Sequence, residues 1–388
     1  MPCLDMIAIA LICGVFGYFM VHLIALIHSK RWLHRKIPQL SETHAHLGVS
    51  ILKPIVGMDD TLPVNLESYF NLKYPKYEIL ISIAEPDGKS IPLVKALKKK
   101  YPRVDCSVFI GASSVGVNPK INNMLRAFNA AKYEVLWISD SGILTLPHTL
   151  TEMTMHLEDP KVGIVHQLPF TLPDSSFAGV LDSVYFGTQH ARVCLCADVF
   201  KQNCANGMSW LIRKHALLAE GGLLKYSQYL AEDFFISTTL WKKGWKLQLS
   251  TLPAIQNSGH RSLRSYVKRI VRWGRLRASM MPWPGLLEPF TECLTLGVLL
   301  SLSLYQLMDW NPVWPFIGHV CLWFLLDMCL LKQIQNGIIS PWWKVVLAWL
   351  LREVCTLSLF FASLWSRQVS WRGINYRLTH GGVAYKTD

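Results

Sequence analysis

Hydrophobic and polar positions divide the chain into three regimes. Residues 6–28 form an uninterrupted apolar run of 23 residues without Asp, Glu, Lys or Arg. At about 1.5 Å per residue, one helix of that length crosses a ~30 Å hydrocarbon core. The basic cluster Lys30, Arg31, Arg35 and Lys36 follows the run rather than preceding it, and no small-x-small site ends it. The run therefore reads as a retained anchor, not a cleaved signal peptide. Three more apolar stretches, residues 287–308, 313–331 and 342–365, predict a membrane bundle near the C-terminus. The chain between, about 250 residues, has ordinary globular patterning and enough length for its own core.

In this middle part, β-rich runs at residues 47–52, 77–84, 104–111 and 135–139 alternate with helical segments at 62–72, 93–100 and 121–131. Such alternation predicts an α/β fold on a mixed, mostly parallel sheet, with ligands at the carboxyl ends of its strands. No glycine-rich phosphate loop or internal repeat is present. The strand at 77–84 runs out into Glu85-Pro86-Asp87-Gly88, and the strand at 135–139 into Asp140-Ser141-Gly142. A carboxylate there can reach a ribose, a base or a phosphate-bridging cation, although an Asp before Gly is also common in plain turns. Further on, Glu232-Asp233 opens an apolar helix, where an acidic pair also suits the helix dipole. Arg269 and Arg272, three apart, lie on neighbouring turns of one face with Trp273 beside them; alone they would read as an interfacial helix.

Composition and charge sharpen this picture. With 51% hydrophobic and 17% charged residues, the chain is too apolar for a typical cytosolic enzyme. The net charge of +13 does not predict a nucleic-acid partner, because the excess brackets the apolar segments. One block is residues 30–36; the other, residues 261–277, holds seven Arg and Lys and no acid. Both border the globular part, which by the positive-inside rule faces the cytosol, against the lipid bilayer. Of ten cysteines only Cys106, Cys194, Cys196 and Cys204 lie outside the apolar segments and their flanks, so no disulfide framework is predicted. The predicted domains are an anchor and basic flank (1–36), a nucleotide-sugar domain (37–260), a basic interfacial helix (261–284), a membrane bundle (285–366) and a polar tail (367–388). Within the bundle, Asp327 and the Arg352-Glu353 pair either serve structural pairing or line a lipid entry cleft.

Taken in order, the two strand-end aspartates, the Glu-Asp pair and Arg-x-x-Arg-Trp resemble the D, D, D, (Q/R)xxRW pattern of inverting glycosyltransferases of the GT-A fold. Longer strings narrow this: Leu52-Lys53-Pro54, Tyr74-Pro75-Lys76-Tyr77-Glu78, Asn118-Pro119-Lys120-Ile121-Asn122-Asn123, Val184-Tyr185-Phe186-Gly187-Thr188, His190, Gly207-Met208-Ser209 and Gln256-Asn257-Ser258-Gly259. On these residues, over nearly its whole length, the chain resembles the ceramide glucosyltransferases.

The resemblance implies transfer of glucose from UDP-glucose to the primary hydroxyl of ceramide, with inversion, at a Golgi membrane. It implies Asp87 on the uridine, Asp140 near the diphosphate and a Mg²⁺ or Mn²⁺ ion, and Asp233 as general base. Arg272 and Trp273 belong with the catalytic residues, Lys120 and Arg269 with the donor, and His190, Cys204 and Glu232 with the acceptor. Two departures stand out. The segment around Asp87 holds few acids, so Glu85 is a second donor candidate, and Asp140-Ser141-Gly142 lacks the second Asp of a D-x-D. Readings left open are another lipid or polyprenyl-phosphate acceptor, a non-catalytic lipid-binding protein of the same fold, and self-association.

Overall fold

The computed structural model describes residues 2–36, 47–86, 88–172, 176–337 and 340–387. These form two compact units interleaved in sequence, one from residues 32–172, 200–259 and 382–388, the other from 1–31, 173–199 and 260–381.

The first unit is built on a seven-stranded sheet. Strands β1 (Val49–Ile55), β2 (Tyr77–Ile83), β3 (Asp105–Ile110) and β4 (Val135–Ser139) follow the predicted runs within a few residues. They are joined by helices Leu62–Phe70, Ile91–Lys100 and Pro119–Ala130. After β5 (Ile143–Leu144) come β6 (Val162–His166), β7 (Pro169–Thr171), β8 (Ser209–Arg213), β9 (Lys246–Leu249) and β10 (Ala254–Gln256). The order is β3-β2-β1-β4-β8-β6-β9, with β5, β10 and β7 in a small second sheet. Strand β8 runs antiparallel to β4 and β6 and the other pairs are parallel, so the sheet is mixed as expected. Helices cover both faces, and every residue of β1 is buried. That includes Lys53, which donates through Nζ to the Asp140 carbonyl (2.7 Å) and the Ile143 carbonyl (3.3 Å) and lies 3.8 Å from the Tyr69 ring centre. Residues 382–388 cluster with this unit, where the Ala384 N–H donates to the Gln228 carbonyl.

The second unit gathers the apolar helices. Among the described residues three are long and apolar enough to cross a membrane: Cys3–Trp32, Val313–Ile334 and Trp342–Leu364. The protein is accordingly membrane-associated. The predicted span at 287–308 is corrected. Its first residues fall in separate short turns, and only Cys293–Met308, 16 residues, is a continuous helix. At ~1.5 Å per residue this is about 24 Å, short of a ~30 Å core. The predicted domain 37–260 is likewise interrupted, because residues 176–199 cluster with the apolar helices. The tail is not merely polar: β11 (Gln368–Trp371) and β12 (Ile374–Leu378) form an antiparallel hairpin with Val369, Tyr376 and Leu378 buried.

Asp327 and Arg352-Glu353 are paired, and Arg352 also lines a cleft. Asp327, fully buried, accepts from Arg192 (3.0 Å), Arg352 (3.0 Å) and the Trp349 indole (2.8 Å), and its Oδ1 lies 3.0 Å from a ring nitrogen of His22. Arg352 also bonds Glu353 and the Thr188 hydroxyl. The carboxylate thus ties together elements from four parts of the sequence. Asp327→Ala should leave two buried guanidiniums without it and cost about 3–5 kcal/mol. The measurement is thermal unfolding in detergent, where Asp327→Ala should melt well below wild type and an exposed-face control, Val354→Ala, should not.

Candidate active site

In the sheet unit, the helix Pro119–Ala130 delivers the central residue. Its first turn is capped by Asn118, whose Oδ1 accepts from the Lys120 and Ile121 N–H groups (2.8 and 3.1 Å). The same side chain donates to the Glu232 carboxylate (2.8 Å) and the Tyr229 carbonyl (2.7 Å). Helix Glu232–Lys242 is thereby held against the strand ends, and Lys120 extends between two carboxylates, 2.9 Å from Asp140 and 3.1 Å from Glu232. It also donates to the Gly207 carbonyl (3.1 Å). Burial opposes the lysine's charge, but Asp140, Glu232 and Asp233 together outweigh it and raise its pKa, so Lys120 stays protonated.

Asp233 stands at the same helix start. Its Oδ2 accepts from the Gly207 N–H and its Oδ1 from the Phe234 N–H, both at 2.9 Å. Although the side chain retains an opening to the outside, enclosure by protein and the adjacent Glu232 charge push its pKa up to about 6, against the pull of Lys120. Gly207 must be small here, because a Cβ on it would run into the Asp233 side chain. Gly207→Ala should shift that carboxylate, cost about 1–3 kcal/mol and lower activity beyond what the fall in Tm explains. Side-by-side Tm and turnover measurements check this.

The turn after β4 is braced from several sides. Asp140 donates its N–H to the Met208 carbonyl and Asn257 its N–H to the Gly142 carbonyl. Asn65 bonds both the Asn257 carbonyl (2.8 Å) and its side chain (2.9 Å). Neither asparagine had an assigned role from the sequence, nor did Lys53, whose signal was a lysine in a strand whose only other polar residue is Ser50. The Asp140 carboxylate itself is 42% exposed. One exposed carboxylate fits a cation that arrives with a nucleotide, since Mg²⁺ is commonly held by one or two carboxylates plus substrate phosphates. Among the described residues no three His, Cys, Asp or Glu side chains converge as a cage. Glu85, at the end of β2, accepts from the Gly57 N–H (3.1 and 3.2 Å). Asp87 lies outside the described residues. Cys204 is a free, partly buried thiol in the segment before Gly207.

The remaining candidates lie in the helical unit. Helix Leu263–Met280 carries Arg-x-x-Arg-Trp, and Trp273 stacks on Tyr185 (6.1 Å) and meets Phe186 edge-on (5.7 Å). Arg269 lies over the Trp273 ring (4.4 Å) and pairs with Asp182 (3.1 Å), which also binds Arg261. His190 stacks on Tyr185 (6.1 Å), and its ring nitrogen is 3.5 Å from Cys194 Sγ. His190, Arg269 and Trp273 are thus one aromatic cluster on a π-helical turn, Phe186–His190. Arg272 takes another direction, over Trp371 of the hairpin (5.4 Å).

A mixed sheet with acidic strand ends, a buried lysine and a helix-borne carboxylate can hold a nucleotide sugar and take up a proton. The sequence model for glycosyl transferase family 21 matches residues 17–384. The chain belongs to this family. It is therefore a glycosyltransferase. Among its relatives are "Ceramide glucosyltransferase 3" of Caenorhabditis elegans, 38% identical over 97% of this chain and 82% of the relative, and "Ceramide glucosyltransferase 1" of the same organism, 35% identical over 94% and 78%. The mannosyltransferase PcManGT from Pyrobaculum calidifontis, solved in complex with GDP-Man and Mn2+, has the same fold at a TM-score of 0.50 and 15% identity, over 93% of this chain and 97% of that one.

Proposed function

We propose that this family 21 enzyme transfers glucose from UDP-glucose to the primary hydroxyl of ceramide, giving β-glucosylceramide and UDP. The observation that carries the reading is Asp233, a carboxylate raised toward neutrality beside a lysine-bridged acidic strand end, in a chain whose full-length relatives bear the ceramide glucosyltransferase name.

The chemistry follows from these residues. An alcohol is a poor nucleophile at neutral pH. Asp233 accepts the ceramide proton as the oxygen bonds to the anomeric carbon, and the bond from that carbon to the UDP oxygen breaks on the opposite face. One base and no covalent nucleophile make this a single displacement, so the α-linked donor yields a β-glucoside. Lys120 stays charged between Asp140 and Glu232 and offsets negative charge at the donor end; Arg269, Arg272 and Trp273 serve the diphosphate and acceptor. Asp140 would hold a Mg²⁺ or Mn²⁺ ion, which would supply positive charge against the diphosphate. Asp87 and Glu85 serve the uridine side, His190, Cys204 and Glu232 the acceptor side.

The basic blocks support a catalytic unit on the cytosolic face of a multi-pass protein, whose Golgi placement follows the ceramide glucosyltransferase reading. The last strand's hydrogen bond to Gln228 keeps the C-terminus with that unit. The end of the last apolar helix meets the basic helix, through Arg275 to the Ala362 carbonyl (3.3 Å) and Ser363 to the Val271 carbonyl (3.4 Å). Both contacts favour a C-terminus on the cytosolic side, where three crossings from a luminal N-terminus would leave it.

The test is transfer of labelled sugar in detergent micelles. UDP-glucose with ceramide should give labelled glycolipid at a rate far above UDP-galactose with ceramide or UDP-glucose with a polyprenyl phosphate. Transfer to the polyprenyl phosphate alone would overturn the acceptor assignment.

A further inference from the structure

In the sheet unit, the ladder between β1 and β4 stops before β1 does. Its last registered pair is Leu52 with Ile138, and β4 ends at the next residue, Ser139. On its other side β1 continues in register with β2, Lys53 standing opposite Ile81. The chain beyond β4 turns through Asp140-Ser141-Gly142-Ile143, closed by a hydrogen bond from the Ile143 N–H to the Asp140 carbonyl (3.1 Å). Where the ladder has ended, a side chain takes over from it. Lys53 Nζ donates to the carbonyls of Asp140 (2.7 Å) and Ile143 (3.3 Å), the first and last residues of the turn.

The ammonium is enclosed on its remaining side. Its nitrogen lies 3.8 Å from the ring centre of Tyr69, whose hydroxyl bonds the Ser139 hydroxyl at 2.5 Å. Lys53 and Tyr69 are both fully buried. Two of the three ammonium donors therefore serve the turn, and an aromatic face meets the charge. Burying a charge is costly, and a methionine would fill the same strand position without that cost. What the lysine adds is confined to the turn. Asparagines hold the two middle carbonyls, Asn65 that of Ser141 (3.4 Å) and the Asn257 N–H that of Gly142 (2.8 Å). Asp140 is thus gripped by two lysines, Lys53 on its backbone from inside the sheet and Lys120 on its carboxylate.

We infer that Lys53 is a positioning residue for the sugar donor. By pinning both ends of the turn, it fixes the direction in which the Asp140 carboxylate meets the diphosphate and its cation. It acts through the backbone of Asp140, not by contact with the donor. The inference rests on the reading of Asp140 as the donor-side carboxylate.

The experiment uses the full chain in detergent micelles, with UDP and MnCl₂ as the probe in isothermal titration and steady-state kinetics alongside. Lys53→Met should weaken UDP binding about tenfold and raise the UDP-glucose KM by a similar factor, leaving the ceramide KM unchanged. Lys53→Gln, whose amide can still donate to one carbonyl, should recover part of that loss, and it carries the test if Lys53→Met fails to fold. Leu97→Ala opens a cavity in the same hydrophobic core on the helix Ile91–Lys100. It should lower Tm and leave UDP affinity at the wild-type value. Wild-type UDP affinity in the folded Lys53 variants, or an equal loss in Leu97→Ala, would overturn the inference. Asp140→Asn separates the two levels of the argument. Loss of UDP affinity there, with none in the Lys53 variants, sinks the inference alone; undiminished affinity in Asp140→Asn sinks the donor-side reading of Asp140 together with it.

Discussion

Asp233→Asn should lower kcat for glucose transfer by about 10²- to 10⁴-fold, the usual contribution of a positioned general base, with the UDP-glucose KM little changed. The substitution keeps an oxygen that can accept the Gly207 N–H and gives up the bond from the Phe234 N–H at the first helical turn, a loss of about 1 kcal/mol. Stability should change little. Burial and Glu232 raise the folded pKa of Asp233 to about 6, above its unfolded value. The folded state therefore binds more protons than the unfolded state between about pH 4 and 6, and the ionised carboxylate costs stability at neutral pH. Asn removes that charge, which offsets the lost Phe234 bond, and the variant should melt close to the wild-type temperature at pH 7.5. In the wild type, kcat should fall as pH drops through about 6, and the residual rate of Asp233→Asn should lack this limb. Loss of activity with a lowered Tm and an unchanged pH profile would assign Asp233 to structure instead.

The second large effect belongs to Lys120. Lys120→Met leaves Asp140, Glu232 and Asp233 without their shared cation. Breaking such a largely buried arrangement costs about 3–5 kcal/mol. The more telling result is in the pH profile. Lys120 lowers the Asp233 pKa, so its removal should carry the acid limb of kcat to higher pH, while the UDP-glucose KM rises about tenfold or more from lost charge at the donor end. Lys120→Arg, which keeps the charge, should recover most of the acid-limb position. An unshifted acid limb in Lys120→Met, with only a lowered Tm, would reduce the lysine to a structural tie.

These predictions rest on features that were unevenly legible in the chain. The strands carrying Asp140 and Glu85 could be read because buried parallel strands are short, β-branched and punctuated by polar turns. The acidic strand ends and the Glu232-Asp233 helix start were visible for the same reason. The bridge that Lys120 makes between them was not, since periodicity places a residue on a helix face and does not say which strand end that face meets. Lys53 was legible only as a charged residue in a strand that is otherwise apolar apart from Ser50. The helical unit was harder. Hydropathy marks apolar length, and it ran the stretch 287–308 together although Pro289 and Glu292 break it before the helix begins at Cys293. The cluster of His190, Tyr185 and Trp273 joins residues some eighty positions apart through ring stacking, which leaves no periodic trace. Asp327, a lone acid in an apolar helix, signalled partners without naming Arg192 or His22.

The central claim is a single displacement from UDP-glucose onto a ceramide hydroxyl with Asp233 as base. The anomeric configuration of the product tests it most directly, read by NMR on glycolipid made by the wild-type chain from UDP-glucose labelled with ¹³C at the anomeric carbon. A single displacement yields β-glucosylceramide alone from the first turnover onward. An α-linked product would require a second displacement or front-face attack and would contradict it.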